Sequence, residues 1–355
     1  MARIAIRHLL VCLVAVAVLA GPAAAIRTAD ESATATGLTV FAGGDIQFAG
    51  EPGRMAVKNG PDYTFSLLRP LLDRADLRLA NLECNVSDLG SPLAEKRYTF
   101  RADPAVFAAL QGDFDALSFA NNHSFDYGVD AFLDTIDRAE RAGLPLLGAG
   151  RGRPAALRPV MVEVRGQRVA LLAFTSLFAV PARWGSLWVP TADKPGVGLA
   201  DANVVLPAIR AAEQEADMVI VYMHWGIEYE GTIPDQVYLA RAMIDAGADL
   251  VIGSHPHVAQ TLAVYKNRLI AYSLGNFAME PGRLAARDFL GLSARLATDG
   301  SLIEATVTAL RYDAGRPRPA TADEAGSLFE RIVPGIRGAT VSERETEIVL
   351  APSPQ

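Results

Sequence analysis

Cysteine is nearly missing from this chain. Among 355 residues there are 2, Cys12 and Cys84. Cys12 lies in an N-terminal stretch that reads as removable, which leaves Cys84 alone. One thiol excludes an internal disulfide and a thiolate zinc cluster, so stability must come from an apolar core, with a non-thiolate metal as the remaining staple. Histidine is scarce too, with 5. Basic residues number 33 against 40 acidic, a net charge of -7. That balance argues against nucleic acid as a partner and disfavours an anionic membrane surface, but leaves room for one anionic group held by a local cation. Internal repeats and long linkers are absent.

A long apolar run occurs once, at Leu9–Ala20. It is too short to span a bilayer comfortably. Arg3, Arg7 and His8 precede it, and Ala23-Ala24-Ala25 follows with small residues at the cleavage positions. Residues 1–25 are therefore expected to be a signal peptide and about 26–36 a flexible lead. The alternative is an uncleaved N-terminal anchor. Both place the rest of the chain outside the inner membrane, in the periplasm or another extracytoplasmic space. Loss of Arg3 and Arg7 leaves 31 basic against 40 acidic residues, a net charge of -9.

What is present is an alternation of apolar runs and amphipathic stretches. Strands are expected at Leu38–Ala42, Asp76–Ala80, Ala116–Ala120, Asp217–Met223, Asp249–Ile252 and Leu269–Leu274. Between them lie helical patterns at Tyr63–Asp73, at Asp103 to about Leu110, and at Val129–Ala142, Asp201–Glu215 and Pro234–Ala246. Pro70 implies a kink or a late start in the first. Asp103-Pro104 reads as an N-cap followed by proline at the first helical position. Arg158–Ser176 reads as a hairpin. Residues 177–200, rich in Pro, Gly and Trp, read as a long loop; Trp184, Trp188 and Trp225 are assigned to packing or a pocket wall. One more strand is expected at Leu302–Leu310, then a loop near 313–324, then a final helix and strand. This is an α/β pattern with much parallel pairing. A single domain over 37–312 is expected, with 313–355 as an extension packed on it.

In parallel α/β sheets, ligands bind beyond the carboxyl ends of the strands. Six apolar runs here end in Asp45, Glu83, Asn122 with His123, His224, His255 with His257, and Asn276. Every histidine after His8 thus sits at or just past a strand tip, where random scatter would put several on helix faces. In Val251–Val258, V-I-G-S-H-P-H-V, proline biases its neighbour to extended geometry, and an extended His255-Pro256-His257 would aim both imidazoles to one side. Two imidazoles with carboxylates and an amide oxygen suit Mn, Fe or Zn better than Ca. One such residue alone would be an ordinary loop or turn residue; several independent segments agreeing point to a shared metal site.

The stretches Gly44-Asp45, Asn81-Leu82-Glu83, S-F-A-N-N-H-S-F-D-Y-G at Ser118–Gly128, His224–Tyr229, A-G-A-D-L-V-I-G-S-H-P-H-V-A-Q at Ala246–Gln260 and Y-S-L-G-N-F at Tyr272–Phe277 resemble the CapA family. These are poly-γ-glutamate capsule synthesis proteins whose domain is similar to calcineurin-like metallophosphoesterases. The resemblance covers about residues 38 to 280. It implies a four-layer α/β/β/α sandwich with the metal site at strand ends. It implies Asp45, Glu83, Asn122, His224, His255 and His257 as ligands of one or two divalent ions, with Glu83 in the place of a metal-bridging aspartate. It implies His123 as the acid that protonates a leaving group, with Asp126 placed to accept its second N–H. Gln47 departs from the pattern, standing where metallophosphoesterases usually carry histidine: one subsite is weakened, or Gln47 supplies an oxygen, or one metal binds. Asn81 and Asn276 are further ligands or supports of ligands.

Three functions stay open on these grounds. The first is a part in making, exporting or anchoring a poly-γ-glutamate-like surface polymer. The second is an exported metal-dependent hydrolase of a phosphoester or γ-glutamyl amide, with His123 as general acid. The third is a non-catalytic, metal-stabilised binding module. The expected partners are an anionic polymer or phosphoester substrate and a membrane synthase complex.

Overall fold

Runs rich in Val, Leu, Ile and Ala become strands, and the polar residues that close them gather at one edge. The computed structural model describes residues 37–177, 180–282 and 287–353; the expected signal and lead, 1–36, lie outside them. The larger sheet has ten strands. Its path runs Ala339–Glu343, Glu347–Pro352, Leu302–Asp313, Asp288–Leu296, Leu38–Ile46, Leu77–Leu82, Ala116–Ser118 and Leu146–Leu147. Off that path, Asn276–Ala278 pairs with Leu38–Ile46 and Arg316–Pro319 with Leu302–Asp313. The second sheet has six strands in the order Leu262–Tyr265, Arg268–Ala271, Leu250–Ser254, Met218–His224, Gln167–Thr175 and Val160–Val164. Its four central strands are parallel, so their carboxyl ends lie together.

Side-chain alternation along those strands builds the layers. Leu171, Ala173, Ile220 and Tyr222 enter a core shared with the larger sheet. Leu172, Phe174, Val221 and Met223 point the other way, onto Val205 and Ile209 of helix Ala202–Glu213 and Ala240 and Met243 of helix Pro234–Asp245. Phe132 and Ile136 of helix Gly128–Arg141, with Leu328 and Phe329 of helix Ala322–Ile332, join the shared core. The four-layer α/β/β/α sandwich is the fold adopted. The Tyr222 hydroxyl stitches the two sheets by donating to the Gly43 carbonyl at 2.6 Å.

Several local expectations change. Tyr63–Asp73 is a 3-10 turn at Ser66–Leu68 and a short helix at Arg69–Leu72, because Pro70 lacks an N–H and is admitted only at a helix start. Asp103 does cap, its carboxylate accepting the Ala105 N–H at 2.8 Å. The supposed loop 177–200 carries helix Ala182–Trp188 and a two-residue strand, Gly196–Val197, paired with Ala149–Gly150. Trp188 is buried against Phe125 and donates to the Asn121 carbonyl at 2.8 Å, which anchors that segment. The loop near 313–324 is instead a hairpin turned at Ala314 and Gly315, both with positive φ. The strand expected over Leu269–Leu274 stops at Ala271. Beyond it the chain crosses to the larger sheet, so Asn276 opens a strand beside Asp45 rather than closing one.

Candidate metal centre

The first ligand-bearing segment needs its two glycines. A Cβ on Gly44 would collide with the carbonyl oxygen of Gly275, and one on Gly43 with the Phe277 ring. This close approach lets the Asp45 N–H bond Gly275 O at 3.1 Å and turns the Asp45 side chain into the space between the sheets. There Oδ1 accepts from Asn81 Nδ2 at 2.8 Å and Oδ2 from the His255 N–H at 3.1 Å. Asn121 supports Asn81, donating to its Oδ1 at 3.1 Å and to Leu82 O at 2.7 Å. Glu83 leaves the end of Leu77–Leu82 with its N–H on Ile46 O at 2.8 Å.

His224 stands at the centre, fully buried. Its Nε2 is 2.8 Å from Asn122 Oδ1 and 3.4 Å from Glu83 Oε1; its Nδ1 is 3.3 Å from Ser254 Oγ and 3.7 Å from Asp45 Oδ1. His257 Nδ1 is 2.9 Å from Asn276 Oδ1 and 3.8 Å from Asp45 Oδ2. The extended His255-Pro256-His257 expected from sequence is not what forms. His255 has φ 98° and His257 φ 58°, a left-handed geometry that ordinary residues adopt at a cost. Hydrogen bonds from two other segments impose it: the His255 N–H on Asp45, and the Tyr229 N–H on Pro256 O at 2.7 Å. The two rings therefore diverge, with centroids 6.0 Å apart, and serve different groups.

Those groups are Glu83, His224 and His255, and Asp45, Glu83 and His257, each offering ligand atoms within 4.8 Å of one another. Glu83 belongs to both. Its two carboxylate oxygens, together with His255 Nδ1 and Gln47 Oε1, are buried without a hydrogen-bond partner. Buried acceptors are normally satisfied, so a carboxylate with both oxygens orphaned among three imidazoles fits a cation. Burial, reinforced by Asp45, pushes the Glu83 carboxyl well above its usual range, and burial raises Asp45 against the pull of His257. Burial, then the neighbouring imidazoles, hold His224 and His255 well below the usual histidine value. Neutral imidazole is the form that ligates. Asp45, Glu83, Asn122, His224, His255 and His257 are thus brought together.

His123 flanks them with Nε2 3.9 Å from Glu83 Oε1, while its Nδ1 is 2.6 Å from Asp126 Oδ2. Burial lowers its pKa against the pull of Asp126. Phe100 stacks on the ring, centroids 4.3 Å apart. Lys96, buried, reaches Asp126 Oδ1 at 2.6 Å. Lys96, Phe100, Asn121 and Ser254 are absent from the site read in the sequence. None stands at a strand tip in a metal-capable pattern, and Lys96 and Phe100 sit in irregular chain, so spacing carried no signal. Cys84, next to Glu83, is fully buried in the core.

The model of the family described as bacterial capsule synthesis protein PGA_cap matches residues 39–281. The chain belongs to that family. The matched span holds every candidate ligand, from Asp45 to Asn276. The chain is 35% identical over 298 residues to the capsule biosynthesis protein CapA of Bacillus anthracis, covering 80% of this chain and 70% of that one. It is 34% identical over 249 residues to the PGA biosynthesis protein CapA of Bacillus subtilis (strain 168), covering 69% of this chain and 64% of the relative, just under two thirds. Among solved structures, the 5'-nucleotidase precursor of Thermus thermophilus is 15% identical with a TM-score of 0.46, covering 84% of this chain and 59% of that one, a likeness on which nothing below depends.

Proposed function

We propose that this chain is an exported protein of poly-γ-glutamate capsule synthesis, and that its site is a divalent-metal hydrolytic centre acting on a phosphoester or γ-glutamyl amide bond. The observation that carries the metal reading is Glu83, shared by two ligand groups with both oxygens buried and unpartnered. Asp45, Glu83, Asn122, His224, His255 and His257 would hold one or two ions of Mn, Fe or Zn, the borderline metals that suit mixed imidazole and carboxylate donors. Such an ion supplies Lewis-acid polarisation of the scissile group, worth several kcal/mol of charge stabilisation. His123 supplies the proton. Asp126 takes the Nδ1–H, so Nε2 is the nitrogen turned toward the centre and the one that serves the leaving group. Phe100 fixes the plane of the ring. Export is supported by Arg3, Arg7 and the run Leu9–Ala20. A membrane synthase remains the partner that a role in polymer assembly or anchoring would require.

The test is elemental analysis of the purified chain after reconstitution with Mn, Fe or Zn, joined to assays on aryl phosphate mono- and diesters and γ-glutamyl amides. His123→Ala should keep its metal and lose roughly 10²–10⁴-fold in rate. Equal rates in variant and parent would remove His123 from the chemistry. Bound metal without turnover of any of these substrates would leave a binding module, and no bound metal would end the metal reading.

A further inference from the structure

The segment Leu93–Phe100 lies as a strap across the turn that bears His123 and Asp126. The Leu93 N–H bonds the Asp126 carbonyl at 2.8 Å and the Phe100 N–H bonds Asp126 Oδ2 at 2.7 Å. From the middle of the strap Lys96 turns inward. Its side chain is 4% exposed and that of Asp126 0%. The ammonium reaches Asp126 Oδ1 at 2.6 Å, Tyr98 O at 3.1 Å and His123 Nδ1 at 3.1 Å. One nitrogen cannot both accept from Lys96 and donate to Asp126. The carboxylate contact is the shorter, at 2.6 Å, and a carboxylate oxygen facing a lone pair at that distance would be repelled. The proton therefore sits on Nδ1, and the ammonium serves Asp126 Oδ1 and Tyr98 O.

We propose that Lys96 is a positioning residue: its ammonium holds Asp126, and through Asp126 the Nδ1–H tautomer and ring plane of His123, against the carboxylate centre. Asp126 is pinned from three sides, by Lys96 on one oxygen and by Phe100 and His123 on the other. Without Lys96, Oδ1 faces no donor and a buried carboxylate is left uncompensated, free to turn toward solvent and release the ring. The geometry stands by itself; only the catalytic consequence rests on the hydrolytic reading above.

The experiment uses the whole chain with histidines labelled with nitrogen-15. Only 5 histidines are present, so the long-range proton–nitrogen spectrum is simple to assign. In the parent, His123 should show a protonated Nδ1 and a bare Nε2. Lys96→Met should lose that fixed tautomer, and kcat should fall about 10- to 100-fold at unchanged KM and unchanged metal content, the usual effect of removing a support of a site residue. Lys96→Arg should restore both. In an Asp126→Asn background, Lys96→Met should add nothing. Should Lys96→Met fail to fold, that double variant, which leaves no charge buried alone, and Lys96→Arg decide instead. The proposal is overturned if Lys96→Met keeps the parent tautomer and kcat, or if the double variant is worse than Asp126→Asn alone. A parent that hydrolyses none of the substrates sinks the hydrolase reading, and the spectra still decide the role of Lys96.

Discussion

Glu83→Gln gives the sharpest test of the centre, because it changes a charge and almost no volume. Asp45 and Glu83 present ligand oxygens within 4.8 Å of each other. Two unit charges at that distance repel by about 3.5 kcal/mol at an effective dielectric of about 20. A cation between them converts that repulsion into attraction. At a free metal concentration of about 1,000 times Kd, binding to the native state alone adds about 4 kcal/mol. In a domain of this size each kcal/mol moves Tm by about 2 °C, so the shift should be about 8 °C. The assay is thermal unfolding of parent and variant, with chelator and with excess Mn, Fe or Zn. The parent should show the shift. Glu83→Gln should lose most of it, since both ligand groups share that carboxylate, while its metal-free Tm should not fall.

The same carboxyl sets a pH dependence. Burial holds it above its unfolded value, so the metal-free protein is most stable where Glu83 keeps its proton and loses stability as pH rises above the unfolded carboxyl range. Metal displaces that proton, so the metal-induced shift should grow with pH over the same window. A parent with no metal-dependent shift, or a Glu83→Gln variant with the full shift, would refute the reasoning.

Gly44→Ala would drive a Cβ into the Gly275 carbonyl oxygen; a loss of about 3 kcal/mol in urea unfolding is expected, together with loss of the metal-dependent shift as Asp45 is displaced. Burial pushes the Cys84 thiol up to about 12, so the native chain should not react with a disulfide reagent at pH 8. In denaturant a chain cleaved after Ala25 should give one thiol and an uncleaved chain two, which also tests export processing. Thr321→Ala should cost about 1 kcal/mol, because the Thr321 hydroxyl accepts from the Glu324 N–H in a capping box. Arg318 holds the Glu324 carboxyl at about 2. Its contribution, small at this half-exposed site, is present above the ordinary glutamate range and lost as pH falls toward 2; Glu324→Gln should flatten that limb of the acid-unfolding curve.

The sequence by itself determined the elements and the side chains that meet at the centre. Period-two and period-3.6 patterns are local, and so are the Asp103 cap and the tight Arg165-Gly166 hairpin turn. The strand-tip rule needs only the order of apolar runs and polar ends, which is why Asp45, Glu83, Asn122 and His224 could be grouped before any fold was known. Only the tertiary structure decided the rest. The turn at His255-Pro256-His257 is held by Asp45 and Tyr229, distant in sequence, against the local preference before proline. Asn276 changes sheets because the chain leaves one layer for the other after Ala271. Lys96 reaches Asp126 across a strap with no periodicity to read. In each case the deciding hydrogen bond joins segments far apart along the chain, and its energy exists only once the two sheets have packed.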